Sequence, residues 1–155
     1  SIKKHRVMEK IMKPGRDYIG IGVGAMVFNQ QGQVFLAKRG PLASNERGTW
    51  EFPGGKVSFS EKLAAAIARE FLEEYDMVIE VVALLGVSDH ILAEEQEHWV
   101  SPTFIARHVS GTPTILEPEK CVEIGWFALD ALPGPLSQVS QDDVATYRLR
   151  FGEKA

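Results

Sequence analysis

From Ile19 to Phe28 the chain alternates: Ile19, Ile21, Val23, Ala25 and Val27 fall on one side, and Gly20, Gly22, Gly24, Met26 and Phe28 on the other. A period of two over such a run predicts a strand. Asn29-Gln30-Gln31-Gly32-Gln33 is turn material, and Val34 to Ala37 reads as the returning strand of a hairpin. Residues 40–48 read as a loop, and Trp50 to Phe52 as a short strand entering a tight turn at Pro53-Gly54-Gly55. The window from Ser60 to Tyr75 is alanine-rich, free of Gly and Pro and opens on serines, which predicts the main helix. Leu63, Ala64, Ile67 and Phe71 form the stripe expected to bury against a sheet. Strands are expected at 78–87 and 99–107, and Pro102 inside the second implies an edge position or a bulge. A short strand at 123–127, a helical turn at 129–132 and a terminal helix at 141–150 complete the reading. Strands flanking one long helix and a terminal helix imply an α/β or α+β sandwich with a mixed sheet.

Size and charge narrow what such a fold does. The 155 residues suit one domain: 1–17, basic through Lys3, Lys4, Arg6, Lys10, Lys13 and Arg16, read as an N-terminal tail, and 18–155 as the folded unit. No apolar run approaches the ~20 residues that cross a bilayer, and the N-terminus lacks the apolar core of a signal peptide. Cys121 has no second cysteine to pair with, which points to a reducing, cytoplasmic home. A net charge of -4 argues against long nucleic acids. It leaves small anions open, because a metal ion turns an acidic pocket into an anion site.

The candidate chemistry lies in Gly55 to Glu74. On a helix, Glu70, Glu73 and Glu74 fall within roughly 100° of one another. Glu70 repels Glu73 and Glu74 by about 0.2–0.5 kcal/mol per pair. The helix dipole disfavours acids near its C-terminal end by about 0.3–1 kcal/mol each. A solvated acidic face is the plain alternative; a hard divalent cation would turn the same arrangement from costly to favourable. Pro53-Gly54-Gly55 adds a backbone able to approach a ligand closely, or an ordinary connector.

Gly55 and Glu61, then seven residues, then Arg69-Glu70-Phe71-Leu72-Glu73-Glu74 and Met77, make a run that resembles the signature of the Nudix hydrolases. Asp76 departs from it, standing where the family has glycine. The likeness extends to Glu51-Phe52-Pro53-Gly54-Gly55-Lys56 and to Trp126-Phe127 before a Leu-Pro turn. It implies an α-β-α sandwich and metal-dependent hydrolysis of a phosphoanhydride in a nucleotide, with magnesium as cofactor and manganese as substitute. It further implies that Gly54 (through its carbonyl), Glu70, Glu73 and Glu74 hold metal, that Glu61 supports them and that Arg69 fixes a carboxylate, with Glu70 the first choice for general base. The segment Glu117-Pro118-Glu119-Lys120-Cys121 resembles the MutT-like nucleoside triphosphate pyrophosphohydrolases, in which a remote glutamate completes the metal site; Glu119 is the match, or an exposed loop acid. Lys38, Arg39 and Lys56 are candidates for the substrate phosphates, or solvated strand ends.

The expected substrate is a nucleoside triphosphate, cut to monophosphate and pyrophosphate. ADP-ribose or a nucleotide sugar, or a non-catalytic nucleotide-sensing module, are the alternatives. No nucleic-acid polymer or membrane is expected as partner, and a homodimer is left open. Gly20-x-Gly22-x-Gly24 superficially fits a dinucleotide motif but lies inside a strand, marking close packing or room for a ligand. His90, His98 and His108 lack zinc spacing. Trp50 and Trp99 are candidates for stacking on a base, or for core packing.

Overall fold

The computed structural model describes residues 11–152, so residues 1–10 of the expected tail lie outside the described residues. The elements are β1 (Gly20–Phe28), β2 (Val34–Arg39), β3 (Trp50–Glu51), β4 (Gly54–Lys56), α1 (Leu63–Tyr75), β5 (Val78–Leu92), β6 (Glu97–Ser110), β7 (Cys121–Phe127) and α2 (Gln138–Phe151). The strand order is β3-β2-β1-β6-β5, with β4 also paired to β1 and β7 to β2. β1 and β6 run parallel, from Gly20↔Trp99 to Phe28↔Arg107, while the other pairs are antiparallel.

The alternation along β1 places a helix on each face. Val23, Ala25 and Val27 pack with Phe35, Ala37 and the Ile67, Phe71 and Tyr75 stripe of α1. Met26 packs with Val34, Leu36, Trp50, Phe52, Leu85 and Val144 of α2. Phe35 is the hub of the first face, with ring centroids 5.3 Å from Tyr75 and from Trp126 and edge-on to both. Such pairs add about 0.5–1.5 kcal/mol beyond the area they bury. Trp50 is a core residue, edge-on to Phe127 at 5.3 Å.

α1 begins at Leu63, not at the serines: Lys62 is its N-cap and makes no side-chain cap bond. The serines sit in the preceding turn, where the Glu61 side chain accepts the Ser58 N–H at 3.1 Å. The buried stripe is Ile67, Phe71 and Tyr75 with Ala66; Leu63 is half-buried and Ala64 exposed, because the i, i+4, i+8 row is centred on Phe71. Asp76 closes the helix in the left-handed region, φ 56 and ψ 37, and its N–H reaches the Leu72 carbonyl at 3.2 Å. Asp is among the few non-glycine residues that visit this region routinely.

Four local expectations are corrected. Pro53-Gly54-Gly55 is no tight turn: Gly54–Lys56 is strand β4, paired with Gly22–Gly24 of β1. The two backbones approach so closely that a Cβ on Gly54 would overlap the Val23 carbonyl oxygen. Pro102 is not on an edge, since β6 lies between β1 and β5. Its missing N–H is accommodated by a gap in the β1 ladder between Ile21↔Val100 and Gly24↔Thr103, and β5 is irregular nearby, between Leu84 and Gly86. The β5–β6 hairpin extends to Leu92↔Glu97, because backbone pairing tolerates the polar side chains of Asp89, His90 and His98. Residues 129–132 form a turn rather than a helical segment. Among the described residues no helix is long and apolar enough to cross a membrane.

Candidate active site

Arg69 organises the acids along α1 and in the turn before it. Its Nε donates to Glu61 Oε2 at 2.6 Å and its Nη2 to Glu61 Oε1 at 2.9 Å, a bidentate, charge-assisted pair. Nη1 donates to Glu70 Oε1 at 3.0 Å and Glu73 Oε2 at 3.2 Å, and Nη2 also to the Lys56 carbonyl at 3.3 Å. The Arg69 hydrogen bonds, with that from the Ser58 N–H, hold the Glu61 carboxyl down to about 2. One guanidinium thus makes five oxygen contacts, of which the one to Lys56 ties α1 to β4.

Glu70 lies flat on β4. A Cβ on Gly55 would sit 2.6 Å from both Glu70 carboxylate oxygens, so glycine there is a requirement of this packing. Glu74, one turn on, shares a hydrogen bond with Glu70, and burial is the main cause that pushes its carboxyl up to about 8. The charges of Glu70, Glu117 and Glu51 push the same way. Two hydrogen-bonded carboxyls of this kind hold a proton between them near neutral pH.

Glu74 opens on a cleft of about 290 Å³, whose walls include Arg39, Glu51, Gly54, Lys56, Glu117 and Lys120. Arg39 Nη1 donates to both Glu51 oxygens, at 3.0 and 3.2 Å, and Nε and Nη2 hold Asn45. Desolvation nevertheless pushes the Glu51 carboxyl up, outweighing Arg39. A second cavity, of about 180 Å³, shares Arg39, Ser44, Glu51, Gly54 and Lys56 with the cleft and continues between β1, β6 and α2. Gly22, Gly24, Trp99, Thr103, Ser140 and Asp143 line it. Burial pushes Asp143 up to about 7; the Thr103 hydroxyl draws it back in part and the Asp142 charge adds to the rise. The loop at 40–48 is clasped over this region by Glu46, which bonds His90 Nε2 at 2.9 Å and accepts the Gln138 N–H at 2.8 Å.

The fold therefore brings Glu61, Arg69, Glu70, Glu74, Gly54, Lys56 and Arg39 to one region. It does not bring Glu119: that side chain is exposed, and Glu117, two residues earlier, faces Glu74 instead. Lys38 lies between Trp50 and Glu123 in the sheet and lines neither cavity. Glu73 is 59% exposed and turned to Arg69, away from the cleft. Arg39 reaches both cavities but is engaged by Glu51 and Asn45, whereas the Lys56 ammonium lies 5.6 Å over the Trp99 ring. Sequence reasoning missed the places of Glu51 and Glu117 in the cleft wall, although each sits in a segment it singled out. It missed Thr103 and Asp143 altogether, which no spacing connects.

A mixed sheet between two helices, with an arginine-clamped row of acids on one helix facing a glycine strand, defines the class: an α-β-α domain with an acidic, ligand-sized cleft. The NUDIX domain family matches residues 19–149. A MutT NUDIX hydrolase from Burkholderia pseudomallei is 39% identical and superimposes with a TM-score of 0.76, covering 82% of this chain and 96% of that one. The mouse 8-oxo-dGDP phosphatase NUDT18 (Mus musculus) is 31% identical over 118 residues, 72% of this chain but 33% of its own length. An 8-oxo-dGTP diphosphatase from Proteus vulgaris is 37% identical over 73 residues, 47% of this chain and 62% of its own. The chain spans about a third of the length of the mammalian relatives it matches. This chain belongs to the Nudix family.

Proposed function

We propose that this domain hydrolyses the phosphoanhydride of a nucleotide, converting a nucleoside triphosphate to a monophosphate and pyrophosphate with a divalent cation as cofactor. The observation that carries the reading is the Glu70–Glu74 pair beside the bare Gly54-Gly55 strand, in a cleft continuous with a second cavity. The MutT-type structural relative at 39% identity supports it.

Among the described residues no three His, Cys, Asp or Glu side chains stand as a ready-made metal cage. The fit to a cation lies in the donor chemistry. Glu70 and Glu74 hold a proton that a divalent ion would replace, Glu117 and Glu51 add negative charge, and oxygen donors suit magnesium or manganese. When bound, such an ion supplies positive charge to phosphate oxygens and makes water a stronger acid. Glu70, Glu74 and the Gly54 carbonyl are the residues that would hold it, with Glu117 in the place expected for Glu119.

Arg69 fixes the Glu70 carboxylate against β4, the placement a general base requires. Lys56 and Lys120, at the cleft rim, are placed to meet the anionic oxygens of the substrate. The 8-oxo-dGDP phosphatase relatives favour a second reading, in which a nucleoside diphosphate releases orthophosphate. The test is a panel of nucleoside di- and triphosphates with magnesium, scoring pyrophosphate and phosphate release separately. Pyrophosphate from triphosphates is expected. Orthophosphate from diphosphates alone moves the assignment to the second reading, and turnover of ADP-ribose with no simple nucleotide cleaved overturns both.

A further inference from the structure

We propose that the half of the sheet left bare beside α1 is a self-association surface, on which a second copy of this chain docks face to face. The ladders fix which residues share that face. Ile21, Val100 and Asp89 lie level across β1, β6 and β5, as do Ala25, Phe104 and Leu84. Val87 lies beside Pro102, and Ile91 beside His98. Ala25 and Phe104 pack into the core under α1, so the whole set faces the α1 side of the sheet. The helix stripe itself packs with Val27, Ala106 and Ile79, toward the other end of these strands. Ile19, the residue before β1, continues the alternation at the bare end. There Ile19, Ile21, Leu84, Val87 and Ile91 are each between 43% and 61% exposed.

So many half-bare aliphatic side chains in one patch are more than a monomer ordinarily shows. Phe59 adds to them. It is wholly exposed on the turn after β4, where Ser60 takes φ 69 and the Glu61 N–H closes on the Ser58 carbonyl at 3.0 Å. The chain runs beside β1 up to that turn, with the Val57 N–H donating to the Ile21 carbonyl at 3.3 Å, so Phe59 stands at the β1 margin of the face. Toward the β5 margin, a groove of about 350 Å³ opens among Tyr18, Ile19, Ile91 and Leu92. An outward ring and an apolar groove on one surface are the two halves of an isologous contact, in which each copy's Phe59 enters the groove of the other.

The character of the face selects this occupant. Its ionisable sheet positions are Asp89 and His98, one acid and one imidazole on adjacent strands, which a twofold axis can bring together across the contact. No lysine or arginine stands among these positions, so nucleic acid and anionic lipid find no cation there. The uncovered apolar area, on the order of several hundred Å² with the Phe59 ring, approaches the ~800 Å² that each partner gives to a stable dimer. Edge-to-edge pairing is the other way two sheets join, and β5 is an edge strand. That edge is obstructed. Register shifts interrupt β5 between Val81 and Ala83 and between Leu84 and Gly86, and Arg150 of α2 donates to the Leu84 and Leu85 carbonyls at 2.9 and 2.6 Å.

The test is sedimentation velocity of the full chain over about 1–100 μM, on wild type, Phe59→Glu, Val87→Lys and Val122→Lys. Wild type should form a closed dimer with a Kd of about 10 μM or tighter. Phe59→Glu and Val87→Lys should each raise that Kd about 30-fold or more, the loss expected at a central interface side chain. Both should keep the wild-type circular dichroism, because neither side chain is buried in the monomer. Val122→Lys, at an exposed valine of β7 outside this face, should leave the Kd unchanged. A dimer that survives Phe59→Glu or Val87→Lys lies on another surface and overturns the proposal. Mass growing past the dimer would reveal a head-to-tail contact and overturn it as well. So would a wild-type monomer over the whole range, and an apolar dye would then say what holds the face. Dye excluded from that monomer would assign the face to the chain's own residues 1–10, and dye bound would assign it to a partner of another kind.

Discussion

The two cavities meet at Arg39, Glu51, Gly54 and Lys56, yet they hold their polar groups by opposite means. On the α1 side, charge is concentrated and partly balanced: Arg69 serves Glu61, Glu70 and Glu73, while Glu74 is left in excess and keeps a proton up to about 8. On the α2 side, burial leads the rise that carries the Asp143 carboxyl up to about 7. Crowded carboxylates suit a role in which a cation replaces a proton. The Asp143 carboxyl is raised by burial first, eased by the Thr103 hydroxyl, and owes least to the neighbouring charge of Asp142.

The sharpest way to break that contrast is to remove charge from the α1 side alone. Glu70→Gln and Glu74→Gln should each lower kcat at least about 100-fold, and a chelator should abolish turnover. Both variants should melt at or above wild type in the apo state, since each relieves like-charge repulsion. If both melt normally and keep kcat within about tenfold, the chemistry lies elsewhere.

Gly55→Ala tests the same side through geometry. The added Cβ displaces the Glu70 carboxylate without changing any charge, and a shift of about 1 Å at a catalytic group costs up to about 100-fold. The double variant Gly55→Ala/Glu70→Gln should then lose little beyond Glu70→Gln, as expected of two residues acting through one contact. Additive losses would show that glycine serves the backbone of β4 instead.

Stability against pH separates the two sides without substrate. Both acids have folded pKa values above the ordinary carboxylate range, about 8 for Glu74 and about 7 for Asp143. The folded state therefore retains protons that the unfolded chain releases, so metal-free stability is greatest at low pH within this window and falls as pH rises from about 4.5 toward 8. Glu74→Gln should flatten the fall up to about pH 8 and Asp143→Asn the part ending near pH 7, by melting-temperature differences on the order of a few degrees. A wild-type slope retained in both variants would assign the titration to other groups.

The smallest effect is expected at Asp76, which lines neither cavity. With φ 56 already accommodated, Asp76→Gly should change stability by less than about 1 kcal/mol, because relief of residual strain is offset by glycine's unfolded-state entropy. Activity should stay within a few-fold. Asp76→Val should be clearly less stable in urea, since a β-branched residue fits the left-handed region poorly. Loss of activity in a folded Asp76→Gly protein would make Asp76 a functional acid.

Local chemistry made one half of the molecule legible. The two-residue period of β1, the alanine-rich window of α1 and the Gly55 to Glu74 spacing depend on neighbours within a few turns, so they survive as sequence patterns. Arg69 and its acids are legible for the same reason: four of its five contacts stay within eight residues, on one helix and the turn before it. Where a residue's role depends on which strand it meets, the pattern is silent. Gly54 and Gly55 read as a turn until β1 is seen beside them, and Pro102 reads as an edge or a bulge until β6 is seen to be central, with a ladder gap on one side and an irregularity in β5 on the other. Glu117 rather than Glu119 faces Glu74 because the approach of the 117–120 turn to α1, which decides that choice, is a tertiary contact. Thr103 and Asp143 lie 40 residues apart on β6 and α2, and only the stacking of that helix on the sheet buries both against one cavity. Spacing along the chain determined the charged half of the site, because a helix converts sequence distance directly into geometry. Packing between sheet and helix decided the neutral half, because burial is a property of what covers a residue and leaves no mark at the residue itself.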